Sequence, residues 1–462
     1  MKIIIAGAGE VGSHLAKMLN SGSNQITVIE SDTTRLRTLT ESIDVVGIEG
    51  KSTSLEVLRR AGAERADLFI AVNPDHSQDV NIVSAILAKQ LGSKKVIARI
   101  NNEEYLSYDN KLLFTEMGID FLFYPEKIAA NEIVEHLERT AYNDSLTFGR
   151  GKLQMAVFKL EEDSPLIDSN VFDFSKRFEK AQEEGNTMDL QFRVVAISRK
   201  DTTIIPGPQS KFRYGDRVYI VAKREGIDMI MKDLGRRNEN ISKLMILGGG
   251  PIGAMVAKQL SSKMESIKLI EINRDKCIEL SEKLGSKVTV VNGDGRNTDF
   301  LMEESIADYD AFVAVTNNSE ANILACVAAK KLGIDHTIAE VENLEYISLA
   351  EEMGVDFVIN KKEITAGRIY KFTLSNKVRF IKFMSGTNAK IIEYNVAPEA
   401  KVTKVPLKGL KDKGFPREAV IGGLIRGSET IIAVGDTQIQ GYDSVVVFAD
   451  PKVVKDVDKF FN

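Results

Sequence analysis

The opening segment MKIIIAGAGEVGSHLAKML returns as KLMILGGGPIGAMVAKQL from Lys243, a repeat spaced 241 residues from Gly7 to Gly248. The echo continues in order. ITVIE ending at Glu30 is answered by IKLIE ending at Glu271, ADLFIAVN from Ala66 by YDAFVAVT from Tyr309, and EMGIDFLF from Glu116 by EMGVDFVI from Glu352. Asn81 and Asn322 open the matching helical stretches NIVSAILAKQLG and NILACVAAKKLG. A collinear repeat of this length means two copies of one domain. In each copy, short apolar β-rich runs alternate with longer segments of helical period, and near-continuous apolar strands imply a parallel sheet covered on both faces. Each copy therefore reads as a doubly wound βαβ domain.

The stretch after each copy has a different pattern. LQMAVFKL, FRVVAISR and DRVYIVAK, and later KIIEYNV, AVIGGLIR, TIIAVG and SVVVFAD, are short strands separated by turns at Pro206-Gly207-Pro208, Tyr214-Gly215-Asp216 and Gly441-Tyr442-Asp443. The expected fold class is α/β: two Rossmann-like parallel-sheet domains at 1–140 and 241–370, each followed by a small β-rich α+β module, at 141–235 and 371–462. The charged link 235–240 is expected to be exposed and mobile. The 462 residues fit several cores at roughly 100–200 residues per domain.

The repeated loops carry the chemistry. In Gly7-Ala8-Gly9-Glu10-Val11-Gly12 and Gly248-Gly249-Gly250-Pro251-Ile252-Gly253 the glycines allow a tight turn, close approach of backbone to a pyrophosphate, and close helix packing. The helix after each loop presents unpaired N–H groups to an anion. Glu30 and Glu271 each end a second strand 18 residues past the third glycine, where a carboxylate accepts from ribose hydroxyls and repels a 2′-phosphate. NAD or an adenine nucleotide fits this pattern, and NADP does not.

Around these loops the copies differ. Gly293-Asp294-Gly295 adds a carboxylate in the second copy where the first has Gly50-Lys51-Ser52, and Arg99 in VIAR answers Glu340 in IAEV. A phosphate gains from Arg and is repelled by Glu, so the first site is expected to tolerate ATP or ADP as well as NAD, and the second to prefer NAD or NADH. Otherwise Lys51, Arg99 and Glu340 are ordinary surface charges. The apolar stripe Ile128, Ala129, Ile133, Val134 and Leu137 either pairs neighbouring domains as a crossover helix or packs within its own.

Other classes are weaker. A hydride-transfer enzyme needs a proton donor beside the nicotinamide, and the four histidines, His14, His76, His136 and His336, form no constellation. No metal-ligand spacing, nucleophile elbow or P-loop occurs. The rival readings are an NAD-dependent oxidoreductase and a ligand-blind scaffold. The 61 basic and 66 acidic residues give a net charge of −5, which offers no general attraction for nucleic acid. Cys277 and Cys326 lie in apolar helical patterns and suit a reducing cytosol. No stretch reads as a signal peptide or bilayer span, so contact with a membrane is expected only through a partner.

Taken with IIIAGAGEVG, TVIESD, RRAGAERADLFIAV, DVNIVSAILAKQLG and IARINNEEY in the first half, and MILGGGPIG, KLIEINRDK, GDGRN, AVTNNSEANILAC and YDSVVVF in the second, the whole chain resembles the TrkA family of potassium-uptake regulators. Members pair a regulator-of-potassium-conductance (RCK) nucleotide-binding domain with a TrkA C-terminal domain. The resemblance implies a cytoplasmic subunit, peripheral at the inner face of the plasma membrane, that gates a TrkH-like membrane subunit. It also implies a homo-oligomer, dimer or tetramer, binding NAD, NADH, ATP or ADP. The implied pocket comprises Gly7, Gly9, Glu10, Val11, Gly12, Glu30, Asn73 and Arg99, and Gly248, Gly250, Pro251, Ile252, Gly253, Glu271, Asp294 and Thr316. Two positions depart from the pattern: Lys51 stands where an acid is expected, and Asn73-Pro74 where the second half has Thr316.

Overall fold

A computed structural model describes residues 1–20, 24–74, 77–138, 144–149, 151–179, 192–200, 202–234, 241–383 and 389–462. His76 and the link 235–240 lie outside the described residues. The chain divides into two compact units, Met1–Val134 with Lys243–Thr373, and Glu135–Ser242 with Leu374–Asn462. Like elements of the duplication thus associate with each other: both parallel-sheet domains share one unit and both β-rich modules the other.

Each parallel sheet has six strands in the order 3-2-1-4-5-6. The first sheet comprises Lys2–Ala6, Gln25–Glu30, Val46–Glu49, Leu68–Ala71, Lys95–Arg99 and Phe121–Phe123. The second comprises Lys243–Leu247, Ser266–Glu271, Val288–Asn292, Ala311–Ala314, His336–Glu340 and Phe357–Ile359. The central strands are buried on both faces, as their unbroken apolar runs require: Ile3 to Ala6, Leu68 to Ala71 and Ala311 to Ala314 are all at or below 2% exposure. Strand order reverses between the first and fourth strands, so the carboxyl ends of these two open a crevice, and the Gly loops sit there.

Within this unit the halves pack through helices. Glu10–Leu19, which follows the first Gly loop, lies against Lys361–Tyr370 from the second half. Reciprocally, Asn131 on helix Pro125–Leu137 accepts from Gln259 Nε2 on helix Pro251–Leu260, which follows the second Gly loop, at 3.0 Å. Ile128, Ala129, Ile133, Val134 and Leu137 are all buried by the chain itself.

The other unit holds two five-stranded antiparallel sheets. In the first, Leu153–Lys159, Phe192–Arg199 and Arg217–Lys223 are buried on both faces. One face packs on helices Val171–Glu179 and Arg224–Asp233 through Phe158, Phe174, Ile220 and Ile230. The opposite face, with Phe148, Val195 and Tyr219, meets Ile391, Ile425 and Phe448 of the second module in a shared core. Arg193 crosses this junction and donates from one guanidinium nitrogen to the carbonyls of Ile421 and Ala433, at 3.0 and 2.6 Å.

Candidate functional site

The three glycines of each loop are required for three different reasons. Gly7 and Gly248 both have φ +109°, a left-handed turn that a side chain strains. A Cβ on Gly12 would stand 1.9 Å from the Gly7 carbonyl oxygen, and one on Gly253 would stand 2.0 Å from that of Gly248. At the middle glycines the backbone is ordinary and the space is open: nothing lies within 4 Å of a Cβ on Gly250, and Gly9 would meet only Pro74 Cγ at 3.6 Å. That open approach lies beside helix starts whose Gly9 and Gly250 caps supply no side-chain acceptor, which leaves the first helix amides able to receive an anion.

Glu30 and Glu271 hold these loops in place. Glu30 is 6% exposed and accepts from the amides of Ala8, at 2.7 Å, and of Ser31 and Asp32, at 2.8 and 3.0 Å. Glu271 accepts from the amides of Gly249 and Asn273, at 3.0 and 2.9 Å, with Lys276 Nζ at 3.5 Å. Burial raises the Glu271 pKa, but the Asn273 amide, the Lys276 charge and the Gly249 amide outweigh it and hold the carboxyl below its usual range. Each carboxylate can accept further bonds from a ribose while fixing the loop.

Two asparagines, absent from the sequence-based site, clamp the crevice floor. Asn322 accepts from the Thr316 amide and hydroxyl, at 3.0 and 2.6 Å, and donates to the carbonyls of Thr316 and Glu340. Asn81 does the same for the Asn73 amide and the carbonyls of Asn73 and Arg99. Their identical placement in the repeat is the signal that could have found them.

The second site is a cleft of about 400 Å³ lined by the loop, by Glu271, by Gly293-Asp294-Gly295-Arg296 and by Thr316 to Asn318. Of the sequence-based residues, Gly248, Gly250, Pro251, Glu271, Asp294 and Thr316 line it, while Ile252 and Gly253 pack behind. Asp294 forms a two-pronged pair with Arg296, at 2.9 and 2.7 Å, which draws its pKa down. Arg296, the fourth residue of GDGRN, is a further lining residue outside the sequence-based site.

The first site is a cavity of about 550 Å³ with a different lining. Gly9, Glu10, Val11, Pro74 and Arg99 line it, together with Arg35 and, from the second half, Glu342, Lys361 and Lys362. Gly7, Gly12, Glu30 and Asn73 stand outside this lining, and Lys51 is exposed away from it. Arg99 is buried and pairs with Glu126 at 3.2 Å. Glu340 is 3% exposed, with Lys361 Nζ 3.5 Å away, and burial pushes its pKa up. His14, half-buried near Lys362, has its pKa lowered by burial and by the charges of Lys362 and Lys17. Among the described residues no cluster of His, Cys, Asp and Glu could hold a metal.

Comparison with known proteins agrees with this geometry. The TrkA-N domain model matches residues 3–125 and 244–361, and the TrkA-C domain model matches 155–235. A Trk system potassium uptake protein TrkA homolog of Archaeoglobus fulgidus is 34% identical, with the whole of both chains aligned. The chain belongs to the TrkA family. A TrkA homolog of Methanosarcina mazei is 31% identical, again over all of both chains. Both relatives are named as potassium uptake proteins, not as enzymes, which counts against the oxidoreductase reading. Among solved structures, the GsuK RCK domain aligns with TM-score 0.61 and 15% identity over 97% of this chain and 92% of its own. The GsuK channel bound to NAD gives 0.60 and 15% over 99% and 78%, and GsuK bound to ADP gives 0.50 and 14% over 80% and 67%. These structures share the fold. Among the described residues no helix is long and apolar enough to cross a membrane.

Proposed function

We propose that this family member is the nucleotide-sensing subunit of a potassium uptake system, cytoplasmic and peripheral at the inner face of the membrane, which gates a TrkH-like membrane subunit according to bound NAD(H) and ATP or ADP. The observation that carries this reading is the second cleft. An open Gly250, an uncapped helix start, and the carboxylates of Glu271 and Asp294 face one space of about 400 Å³, within the range of roughly 300–1,000 Å³ usual for ligand pockets. The NAD and ADP complexes of the GsuK channel support the ligand class.

Gating requires a ligand to bind two arrangements of the protein unequally. The two sheet domains touch through helices that begin at or near the Gly loops, Glu10–Leu19 and Pro251–Leu260, so a ligand on a loop acts directly on the packing between the halves. The chain's assembly into a dimer or tetramer would add such junctions around a ring.

Calorimetric titration of the full-length chain with NAD, NADH, ATP and ADP tests the binding step. Gly250→Ala is expected to weaken NAD at the second site at least about tenfold and Gly9→Ala to remove binding at the first site. Potassium flux through the reconstituted membrane subunit tests the rest; flux indifferent to every nucleotide would overturn the proposal.

A further inference from the structure

The segments that enter the first, fourth and fifth strands of each parallel sheet lie at the end opposite the Gly loops, and there the two copies of the repeat carry opposite charge. In the first half, Lys2, the stretch Arg59 to Asp67 and Lys94-Lys95 hold six basic and two acidic residues. In the second, Lys243, the stretch Met302 to Asp310 and Asp335-His336 hold one lysine, one histidine and five acidic residues. Arg60 is answered by Glu303, Arg65 by Asp308 and Lys94 by Asp335.

The fold does not need these charges, because the two stretches are held in the same way without them. Each turns through a left-handed residue, Gly62 at φ +84° and Ser305 at φ +58°, and anchors on buried apolar side chains, Leu58 and Ala63 in one and Leu301 and Ile306 in the other. Asp67 and Asp310 accept from the amides of Lys2 and Lys243, both at 2.8 Å. What differs is exposed. Lys2, Arg59, Arg60, Arg65, Lys94 and Lys95 all face solvent, and among the described residues only Arg59 and Lys94 of these six pair with an acid, Glu64 at 3.7 Å and Asp67 at 2.7 Å. A cavity of about 350 Å³ opens among them, lined by Lys2, Arg59, Glu64 and Arg65. Like charges crowded on one edge repel, and a polyanion laid against it relieves the repulsion.

The kind of polyanion follows from the chemistry of the membrane's inner face. Cytoplasmic loops of membrane proteins carry an excess of Lys and Arg, which a basic edge repels, whereas the lipid surface there is negative and attracts it. We propose that this edge of the first sheet docks on anionic lipid headgroups, with Arg59 and Arg65 taking a headgroup phosphate in the cavity, while the acidic edge of the second half is repelled and so fixes which half faces the bilayer. This rests on the reading of the chain as peripheral at the inner face of the membrane, and adds a contact that the chain makes itself, without the membrane subunit. Because the Gly loops lie at the other end of the sheet, lipid and nucleotide do not compete.

The test is sedimentation of the full-length chain with vesicles of phosphatidylcholine alone and of phosphatidylcholine and phosphatidylglycerol in equal parts, with thermal melting as the check on folding. The wild type is expected to follow the anionic vesicles and not the neutral ones, and to be released by added salt. Arg60→Gln, Arg65→Gln and Lys95→Gln should each weaken this binding about fivefold, whereas Lys411→Gln and Lys413→Gln, equal charge changes at exposed positions of the other unit, should not. Equal binding to both vesicle types, or equal losses in all of these variants, would overturn the inference while leaving the proposed function standing, since potassium flux tests that separately. Binding seen only with vesicles that hold the membrane subunit, and lost in Arg60→Gln, would overturn it in favour of a protein partner. A changed oligomeric state of Arg60→Gln by light scattering would overturn it in favour of a second copy of the chain.

Discussion

A Cβ built on Gly253 would stand 2.0 Å from the carbonyl oxygen of Gly248, whereas one on Gly250, between them, would touch nothing within 4 Å. Two glycines of one motif therefore answer to folding and to ligand respectively. Gly253→Ala is expected to cost about 1–3 kcal/mol by overpacking, since the clash is with backbone that has nowhere to move. Gly250→Ala, at φ −63°, should change stability by less than about 1 kcal/mol. Yet its methyl group fills the pyrophosphate approach and should weaken NAD at least about tenfold. Chemical denaturation beside calorimetry separates the two; equal stability losses would contradict the division of roles.

Glu271 couples the loop to pH. Its folded pKa lies below the usual value, so its contribution is fully present above the unfolded carboxylate pKa and is lost as pH falls through the folded one. Glu271→Gln keeps one acceptor oxygen but turns the other into a donor facing a backbone N–H. The expected loss is about 1–3 kcal/mol at pH 7, shrinking as the wild-type carboxyl protonates. Urea unfolding at several pH values checks this, and a loss constant down to strongly acid pH would count against it.

The parts of this molecule readable from sequence are those fixed by local rules. A glycine forced to φ +109°, a carboxylate ending a strand, and an apolar run buried on both faces each leave a mark within a few residues, and the repeat shows each mark twice. Lys361 and Lys362 left none, because their placement depends on helix Lys361–Tyr370 packing on Glu10–Leu19, more than 340 positions away. Arg99 shows the same limit: its position at a strand end was legible, but the Glu126 that neutralises it comes from another element. The stripe Ile128 to Leu137 has one helical period whether it packs within its domain or against another, and it is the Asn131–Gln259 bond, which no local pattern marks, that shows its helix meeting the second half.

In the β-rich modules, a buried acid and a forked base recur at the same spacing. Asp216, fully buried, takes both prongs of Arg199 at 2.8 Å, and Asp443, 1% exposed, takes those of Arg426 at 2.9 and 2.8 Å. The arginine side chains are 25% and 30% exposed, so the partners are unequal. Removing the acid leaves a cation that water can reach; removing the base strands a carboxylate in the interior. Arg426→Met should therefore cost about 3–5 kcal/mol and Asp443→Asn only about 1–3 kcal/mol. Guanidinium unfolding of the two variants decides it, and the reverse order would show that desolvation of Asp443 is not the controlling penalty.

Lys390 presents the opposite case, a base held where its charge is unwelcome. It begins strand Lys390–Asn395, is 2% exposed, and burial draws its pKa down to about 7 despite the charge of Asp450. Unfolded lysine titrates near 10.4, so between about pH 7 and 10 the unfolded chain holds a proton that the folded one does not. Stability from this residue therefore rises with pH across that window, by at most about 1.4 kcal/mol per pH unit. Lys390→Met, which keeps the length and drops the charge, should be more stable than the wild type at pH 7, and its advantage should narrow steadily toward pH 10. Unfolding curves for both proteins at pH 7, 8.5 and 10 measure the difference directly, with every other lysine cancelling in the comparison. A gap independent of pH would mean that Lys390 keeps its proton in the folded chain.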